Sequence, residues 1–346
     1  MGTMTACVFH EPGRVAIEEV ARPEVGPGDV LMKVKATSIC ASDIRVFKGE
    51  KSARKGVIQG HEVAGVIAEV GSQVSGYSVG ETITVCPILA CGKCYFCMIW
   101  RRNRCASRTT LGYDENGGLS QYMLIPQQLV ELGHILRVPA GLPFELAAMT
   151  EPFACALYSL EACQVGAGSS MLIVGAGPMG LTHLLIGRSL GCSTIIMSDL
   201  VDERLRAAES LGADLCLNPT RQDVKKAVLE ATSNLGADAV IITVGNVEAI
   251  GQGLGAVRKE GYVNLFGGFP PDSRYVLDPN VIHYNEVVLT GTQNATPDHY
   301  RRALSLLTIV PKAKDLITHR FPIWEAVGAF ESRLALEGLK SVVTFE

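Results

Sequence analysis

A chain of 346 residues is long for a single core, so two domains are expected. Hydrophobic residues make up 47% and charged ones 19%, the balance of a well-packed soluble protein rather than a disordered or fibrous one. The formal net charge of −4 offers no general attraction to nucleic acid or to an anionic membrane, and no apolar run approaches the roughly 20 residues of a membrane-spanning helix. The start, Met1-Gly2-Thr3-Met4-Thr5, lacks the basic and apolar regions of a secretion signal, and Ala6 stands where a myristoylation site needs Ser or Thr. A cytoplasmic protein with no nucleic-acid or membrane partner is expected. Such a compartment seldom holds disulfides, so the 11 cysteines are free or metal-bound. Cys7, Cys86, Cys155, Cys163, Cys192 and Cys216 sit among apolar neighbours and read as small buried hydrophobes.

Up to about residue 90 the chain reads as short strands: Thr5 to Phe9, Val15 to Val20, Asp29 to Thr37, Glu62 to Val70 and Thr82 to Val85. Their close spacing and frequent glycines predict a small, barrel-like antiparallel domain. An irregular, cysteine-rich lobe follows, then a strand from Gly118 to Ile125. Helical patterns begin at Leu142 to Met149 and again after Glu151. From about residue 168 strands and helices alternate: strand Ser170 to Val174, helix 178–190, strand Ser193 to Ser198, helix Asp202 to Leu211, and a short strand near Leu215. The alternation continues with helix Asp223 to Thr232, strand Ala239 to Val244, helix Val247 to Arg258 and strand Tyr262 to Phe266. This pattern predicts a parallel sheet with helices on both faces. It ends around Glu286 to Thr290. A helix near Asp298 to Leu307 and a final strand Ser341 to Phe345 are expected to rejoin the first domain.

Gly175-Ala176-Gly177-Pro178-Met179-Gly180 directly follows a predicted strand and opens a predicted helix. In that setting the first glycine makes the tight turn, the second admits a pyrophosphate and the third lets helix and strand pack closely. The helix N-terminus adds free N–H groups and a positive dipole end. Asp199 closes the second strand. A carboxylate there accepts hydrogen bonds from an adenosine ribose diol and repels a 2′-phosphate, and neither Leu200 nor Val201 is an arginine that could receive one. NAD is the expected cofactor.

Two sets of residues have the chemistry of metal ligands. Cys91, Cys94 and Cys97 at steps of three, followed by Cys105, can wrap one tetrahedral ion; all four positions are filled, which makes the site structural. Lys93, Arg101, Arg102 and Arg104 flank it and could offset the thiolate charge. An iron–sulfur cluster is the alternative occupant. A zinc-ribbon nucleic-acid binder is disfavoured by the cysteine spacing and by the acidic balance. The second set, Cys40, His61, Glu62 and Glu151, is scattered along the chain, as a catalytic site assembled by folding would be. Glu62 joins His61 in one shell only if the backbone bends at Gly60-His61, because neighbours on a regular strand point to opposite faces.

These pieces together resemble the zinc-dependent medium-chain alcohol dehydrogenases, and within them the sorbitol (polyol) and threonine dehydrogenase branch. The matching residues are Cys40-Ala41-Ser42-Asp43, Gly60-His61-Glu62, the four-cysteine lobe, Glu151-Pro152, Gly175 to Gly180 and Thr290-Gly291-Thr292, in the family's order through nearly the whole chain. The resemblance implies a GroES-like, mostly-β catalytic domain at 1–152 and 290–346, carrying a structural zinc lobe at 86–110, and an inserted Rossmann domain at 153–289. It implies two zinc ions per chain. Cys40 and His61 would be catalytic ligands, with Glu62 or Glu151 the third. Ser42 would hydrogen-bond the substrate hydroxyl, and Asp43 would orient His61. Cofactor contacts would extend from Gly175, Gly177, Pro178, Met179, Gly180 and Asp199 to Arg204, Val244, Phe266, Gly267, Thr290, Gly291 and Thr292.

The implied activity is hydride transfer from a secondary hydroxyl of a polyol or sugar alcohol to NAD; threonine or a phosphorylated polyol is the alternative substrate. A zinc-free quinone-type reductase of the same fold would lack both cysteine sets. A homodimer or homotetramer is expected, with the strand near Val263 to Gly267 and its neighbours extending the sheet across subunits. One departure stands out: Arg45 occupies the position where this branch usually has a histidine, and Lys48, Lys51, Arg54 and Lys55 follow in the same loop. Facing the site, these cations would attract a phosphate or carboxylate; facing water, they are a solvated basic loop.

Overall fold

The structure, a computed structural model, describes residues 2–346. The chain divides into two compact units: one runs to Ala154 and resumes at Ala295, the other spans Cys155–Asn294. The switches between units therefore fall at Ala154/Cys155 and Asn294/Ala295, beside the expected 152/153 and 289/290.

The first unit is built on two sheets. In the smaller, Thr3–Glu11 pairs antiparallel with Arg14–Ala21 on one side and Val57–Ile58 on the other. In the larger, the order is Ile135–Arg137, Thr82–Val85, Glu62–Val70, Val30–Ser38, Lys340–Thr344, Ile317–Pro322, and Tyr122–Ile125 also pairs with Val30–Ser38. Alternating apolar residues turn inward from both sheets. Met4, Val8, Met32, Val34, Val63, Ile67, Ile83, Met123 and Phe330 share one core. The expected all-antiparallel character holds except at the chain's end, where Ile317–Pro322 and Lys340–Thr344 run parallel. A parallel pair needs a crossover rather than a tight turn, and helix Ala326–Leu334 supplies it. The final strand thereby lands antiparallel against Val30–Ser38, with Val342 opposite Ser38.

A short helix, Ala41–Phe47, was not legible in the strand-like texture of the first 90 residues. It starts because Asp43 at its third position accepts a hydrogen bond from the Cys40 backbone N–H at 2.9 Å, a reciprocal cap that fixes Cys40 at the helix entrance.

The second unit is a six-stranded sheet, every pair of it parallel. Its order is Leu215–Leu217, Thr194–Ser198, Ser170–Val174, Ala237–Ile242, Val257–Leu265, Val288–Gly291, that is, 3-2-1-4-5-6 in chain order within the unit. This is the doubly wound arrangement that places a dinucleotide at the reversal of strand order. Ser170–Val174 is buried at every position, as a strand covered on both faces must be. One element differs from expectation: the helix before the fifth strand ends at Ala256, and Val257 and Arg258, read as its tail, already belong to the strand. β-Branched Val257 and the positive φ of Glu260 (57°) favour a bulged strand entry over another helical turn. That strand is hydrogen-bonded on both sides, so on this side the sheet's free edge is its neighbour Val288–Gly291.

Gly65 sits mid-strand on Glu62–Val70, where a Cβ would lie 2.2 Å from the Lys33 carbonyl oxygen and 2.8 Å from Met32 Cγ. Gly65→Ala must spread the two strands that carry Ser38 and Glu62. We expect a loss of about 1–3 kcal/mol in urea unfolding; a variant as stable as wild type would refute this account of the pairing.

Candidate active site

The bend required at Gly60 is present. Gly60 has φ +92°, and a Cβ there would meet Thr37 Cγ2 at 2.7 Å and Leu119 at 2.9 Å. The strand begins only at Glu62, so His61 lies in the turn and Glu62 on the pleat. The Cys40 thiol, a His61 ring nitrogen and a Glu62 carboxylate oxygen lie within 4.8 Å of one another. Glu151, near the start of helix Thr150–Ala162, lies outside that trio, yet its charge acts on Glu62, Lys51 and Tyr113.

The surroundings of the trio are polar, with His61 and Glu62 buried and Cys40 half-buried. Glu62 is fully buried; one carboxylate oxygen takes bonds from Ser38 Oγ and from the ammonium of buried Lys340, while Oε1 has no hydrogen-bond partner among the described residues. An orphaned carboxylate oxygen beside a thiol and an imidazole is what a metal ion would satisfy. Burial pushes Glu62 up, the Glu151 charge adds to this, and Lys340 and His61 oppose it. His61 Nδ1 is 3.4 Å from Asp43 Oδ1, with Asp43 fully buried. Burial disfavours a charge on His61, but Asp43 and Cys40 outweigh it and hold the ring well above its ordinary value. Ser42 Oγ donates to Cys40 Sγ at 3.0 Å and lies 2.6 Å from the Tyr113 hydroxyl.

Two residues near the trio, Tyr113 and Lys340, escaped sequence reasoning, and Lys51 was read only as one of four loop cations. Tyr113 places its hydroxyl 3.1 Å from His61 Nδ1 and 2.6 Å from Ser42 Oγ. Burial, with Asp43 and Cys40 adding, pushes that hydroxyl well above its ordinary value, so it stays protonated and able to donate. Lys340 arrives from the last strand; a lysine opening an otherwise uncharged, mostly buried strand was its one signal. Lys51 lies with its ammonium 3.3 Å from the centre of the Tyr113 ring. Arg45, at the place of the usual histidine, pairs instead with Glu50 at 3.6 Å.

In the cysteine lobe, Cys91, Cys94, Cys97 and Cys105 converge to within the same 4.8 Å limit. Backbone N–H groups of Lys93 and Cys94 pull Cys91 down to about 6, whereas burial and the neighbouring thiols Cys94 and Cys105 push Cys97 up to about 12. Four thiolates cannot sit together without a cation among them, so the donor set fits a tetrahedral metal ion. Of the flanking cations, Arg102 donates to the Leu132 carbonyl at 2.6 Å and lies 5.2 Å from the Trp100 ring centre.

The glycine motif of the second unit divides its labour as the mechanism demands. Gly175 has φ +106°, and a Cβ on it would strike Thr243 Oγ1 at 2.4 Å; one on Gly180 would strike the Gly175 carbonyl at 1.8 Å. Gly177, capping helix Pro178–Ser189, has nothing within 4 Å of that position, leaving open the space a pyrophosphate needs. Buried Asp199 accepts from the Ala176 N–H at 2.7 Å and the Val201 N–H at 2.9 Å, tying the second strand to the glycine turn. Val244 and Gly267 pack against the same turn: Val244 Cγ1 is 2.7 Å from the Cβ position of Gly175, and Gly267 abuts the Thr243 and Val244 backbone. Phe266 meets the His183 ring edge-on at 4.6 Å. Arg204 lies half-buried on helix Asp202–Leu211, Thr290 and Gly291 lie on the edge strand, and Thr292 Oγ1 donates to Asn264 at 3.2 Å.

Comparison with known proteins agrees with this architecture. Residues 26–134 match the alcohol dehydrogenase GroES-like domain and residues 178–308 the zinc-binding dehydrogenase domain. The chain is 33% identical to a sorbitol dehydrogenase of Halalkalibacterium halodurans over 340 residues, 97% of each protein. It is 36% identical to an L-threonine 3-dehydrogenase of Pyrococcus horikoshii over 272 residues, 77% of this chain and 76% of that one. A crystal structure of a zinc-binding dehydrogenase from Sinorhizobium meliloti bound to NADP superposes with a TM-score of 0.93 at 29% identity, covering 99% of this chain and all of the other. The chain belongs to the zinc-dependent medium-chain alcohol dehydrogenase family, in its sorbitol and threonine dehydrogenase branch. It is an oxidoreductase acting on alcohols.

Lys340 is the sole cation bonded to Glu62 among the described residues. Lys340→Met strands a buried carboxylate, and we expect a loss of about 3–5 kcal/mol in urea unfolding of the metal-free protein. A change below about 0.5 kcal/mol would show that the pair is unimportant to the fold.

Proposed function

We propose that this protein oxidises a secondary hydroxyl of a polyol or sugar alcohol, reversibly, with NAD as hydride acceptor. The observation that carries the reading is the trio of Cys40, His61 and Glu62 with one carboxylate oxygen left unsatisfied. Zinc held by Cys40, His61 and either Glu62 or Glu151 would lower the pKa of the substrate alcohol, and NAD would accept the hydride. Ser42, beside the thiol, would accept a hydrogen bond from the substrate hydroxyl, and the Tyr113 hydroxyl continues the network. Asp43 holds the His61 ring in place from its second nitrogen side. Burial of Asp43, His61 and Tyr113 keeps these hydrogen bonds strong by excluding water.

The four cysteines of the lobe would take a second, structural zinc, giving two per chain. On the cofactor side, Gly175, Gly177, Pro178, Met179 and Gly180 would cradle the pyrophosphate. Asp199 would bind the ribose diol, with Arg204, Val244, Phe266, Gly267, Thr290, Gly291 and Thr292 completing the site. A reducing, cytoplasmic setting would keep the 11 cysteines as thiols or metal ligands. The partly exposed Val288 and Leu289 on the free sheet edge support a homodimer or homotetramer.

A panel of sorbitol, xylitol and threonine followed by NADH absorbance tests the substrate; turnover of threonine with none of the polyols would move the protein to the threonine side of its branch. Asp199→Ala is expected to lower the preference for NAD over NADP by about tenfold or more, through loss of diol binding and of 2′-phosphate repulsion. An unchanged NAD to NADP ratio of kcat/KM would contradict the cofactor assignment.

A further inference from the structure

We propose that Lys51 gives this site a preference for substrates that carry an oxyanion, a phosphate or a carboxylate, on the same carbon chain as the oxidised hydroxyl; the inference rests on the polyol reading above. The four cations that follow the first metal motif are not equivalent. Lys48 and Lys55 are exposed. Arg54, also exposed, is committed to the Asp114 carbonyl at 2.9 Å and to Asn116 at 3.1 Å. Lys51 alone turns inward, half-buried, over the face of Tyr113. The hydroxyl of that same ring bonds Ser42 and His61, so the ammonium stands one side chain away from the reacting group.

Lys51 forms no ion pair among the described residues, although Cys40, Asp43 and Glu151 act on it through space. A ring face attracts a cation without accepting all of its donors, so the N–H groups turned away from the ring remain available. Burial of an ammonium with no carboxylate in contact is costly, and it lowers the Lys51 pKa. An oxyanion arriving with the substrate would take up those donors and remove that cost. A neutral polyol would not. The rival role for Lys51, offsetting the site's own acidic groups, would act on every substrate alike, and this separates the two.

The test uses zinc-loaded enzyme with NAD and compares xylitol, xylitol 5-phosphate and xylonate for wild type, Lys51→Met and Lys51→Arg. Lys51→Met should raise KM for the phosphate ester, the acid or both by about tenfold or more, with KM for xylitol within about twofold; Lys51→Arg should keep most of the preference. The two anionic substrates show which oxyanion is read. Equal losses on neutral and anionic substrates would overturn the proposal while leaving the polyol reading intact. Binding of inorganic phosphate, measured by calorimetry with NADH filling the dinucleotide site, needs no turnover. It should weaken about tenfold or more in Lys51→Met and persist in Lys51→Arg. Phosphate binding that is absent from wild type, or equal in wild type and Lys51→Met, would overturn the proposal even if no polyol is oxidised, an outcome that would separately defeat the polyol reading.

Discussion

The left-handed turn at Gly60 is the constraint from which the catalytic site follows. Two residues adjacent on a regular strand cannot address one point, because their side chains leave opposite faces. With φ at +92° the chain turns before the pleat begins, and His61 and Glu62 converge with Cys40. The turn is also crowded. Thr37 and Leu119 stand against Gly60, while the glycines at 112 and 117 let a second chain segment press on its backbone. That second segment delivers Tyr113. A side chain at Gly60 would thus disturb the His61–Glu62 pair and its hydrogen-bonding neighbour together.

Charge is the second constraint. Asp43 and Glu62 are fully buried and Glu151 stands close by, an arrangement that is unstable unless cations answer it. The protein supplies Lys340 from the far end of the chain, and register decides that it can. Ser38 faces Glu62 on one side and Val342 on the other, so the terminal strand lays its lysine against the buried carboxylate. Lys340 and Ser38 satisfy one oxygen of Glu62 and leave Oε1 without a hydrogen-bond partner among the described residues, as a proposed metal ligand requires. The cysteine lobe repeats the logic in thiols, where Cys91 is readily ionised and Cys97 resists ionisation without a cation.

Much of this was legible in the sequence, because local chemistry wrote it there. The six glycine-motif positions and Asp199 lie within one βαβ unit. The four cysteines lie within 15 residues, Cys91 to Cys105, and the strand-helix alternation of the second unit is periodic. What escaped depends on tertiary register. Lys340 and Glu62 are 278 residues apart, and nothing in either neighbourhood names the other. Tyr113 lies in a glycine-rich stretch that reads as loop, and its role depends on the close approach of that loop to Gly60. The helix Ala41–Phe47 was hidden by the β-like texture around it and rests on a single side-chain cap from Asp43. Lys51 was visible as one of four loop cations, but its inward turn was not.

The account stands on Cys40, His61 and a carboxylate holding a catalytic metal ion distinct from the one in the cysteine lobe. Metal analysis of purified, fully active protein tests this most directly. About two zinc ions per chain are predicted for wild type, and about one for Cys40→Ala, which keeps the lobe and its fold. A single zinc in the active wild type, or two retained in Cys40→Ala, would contradict it.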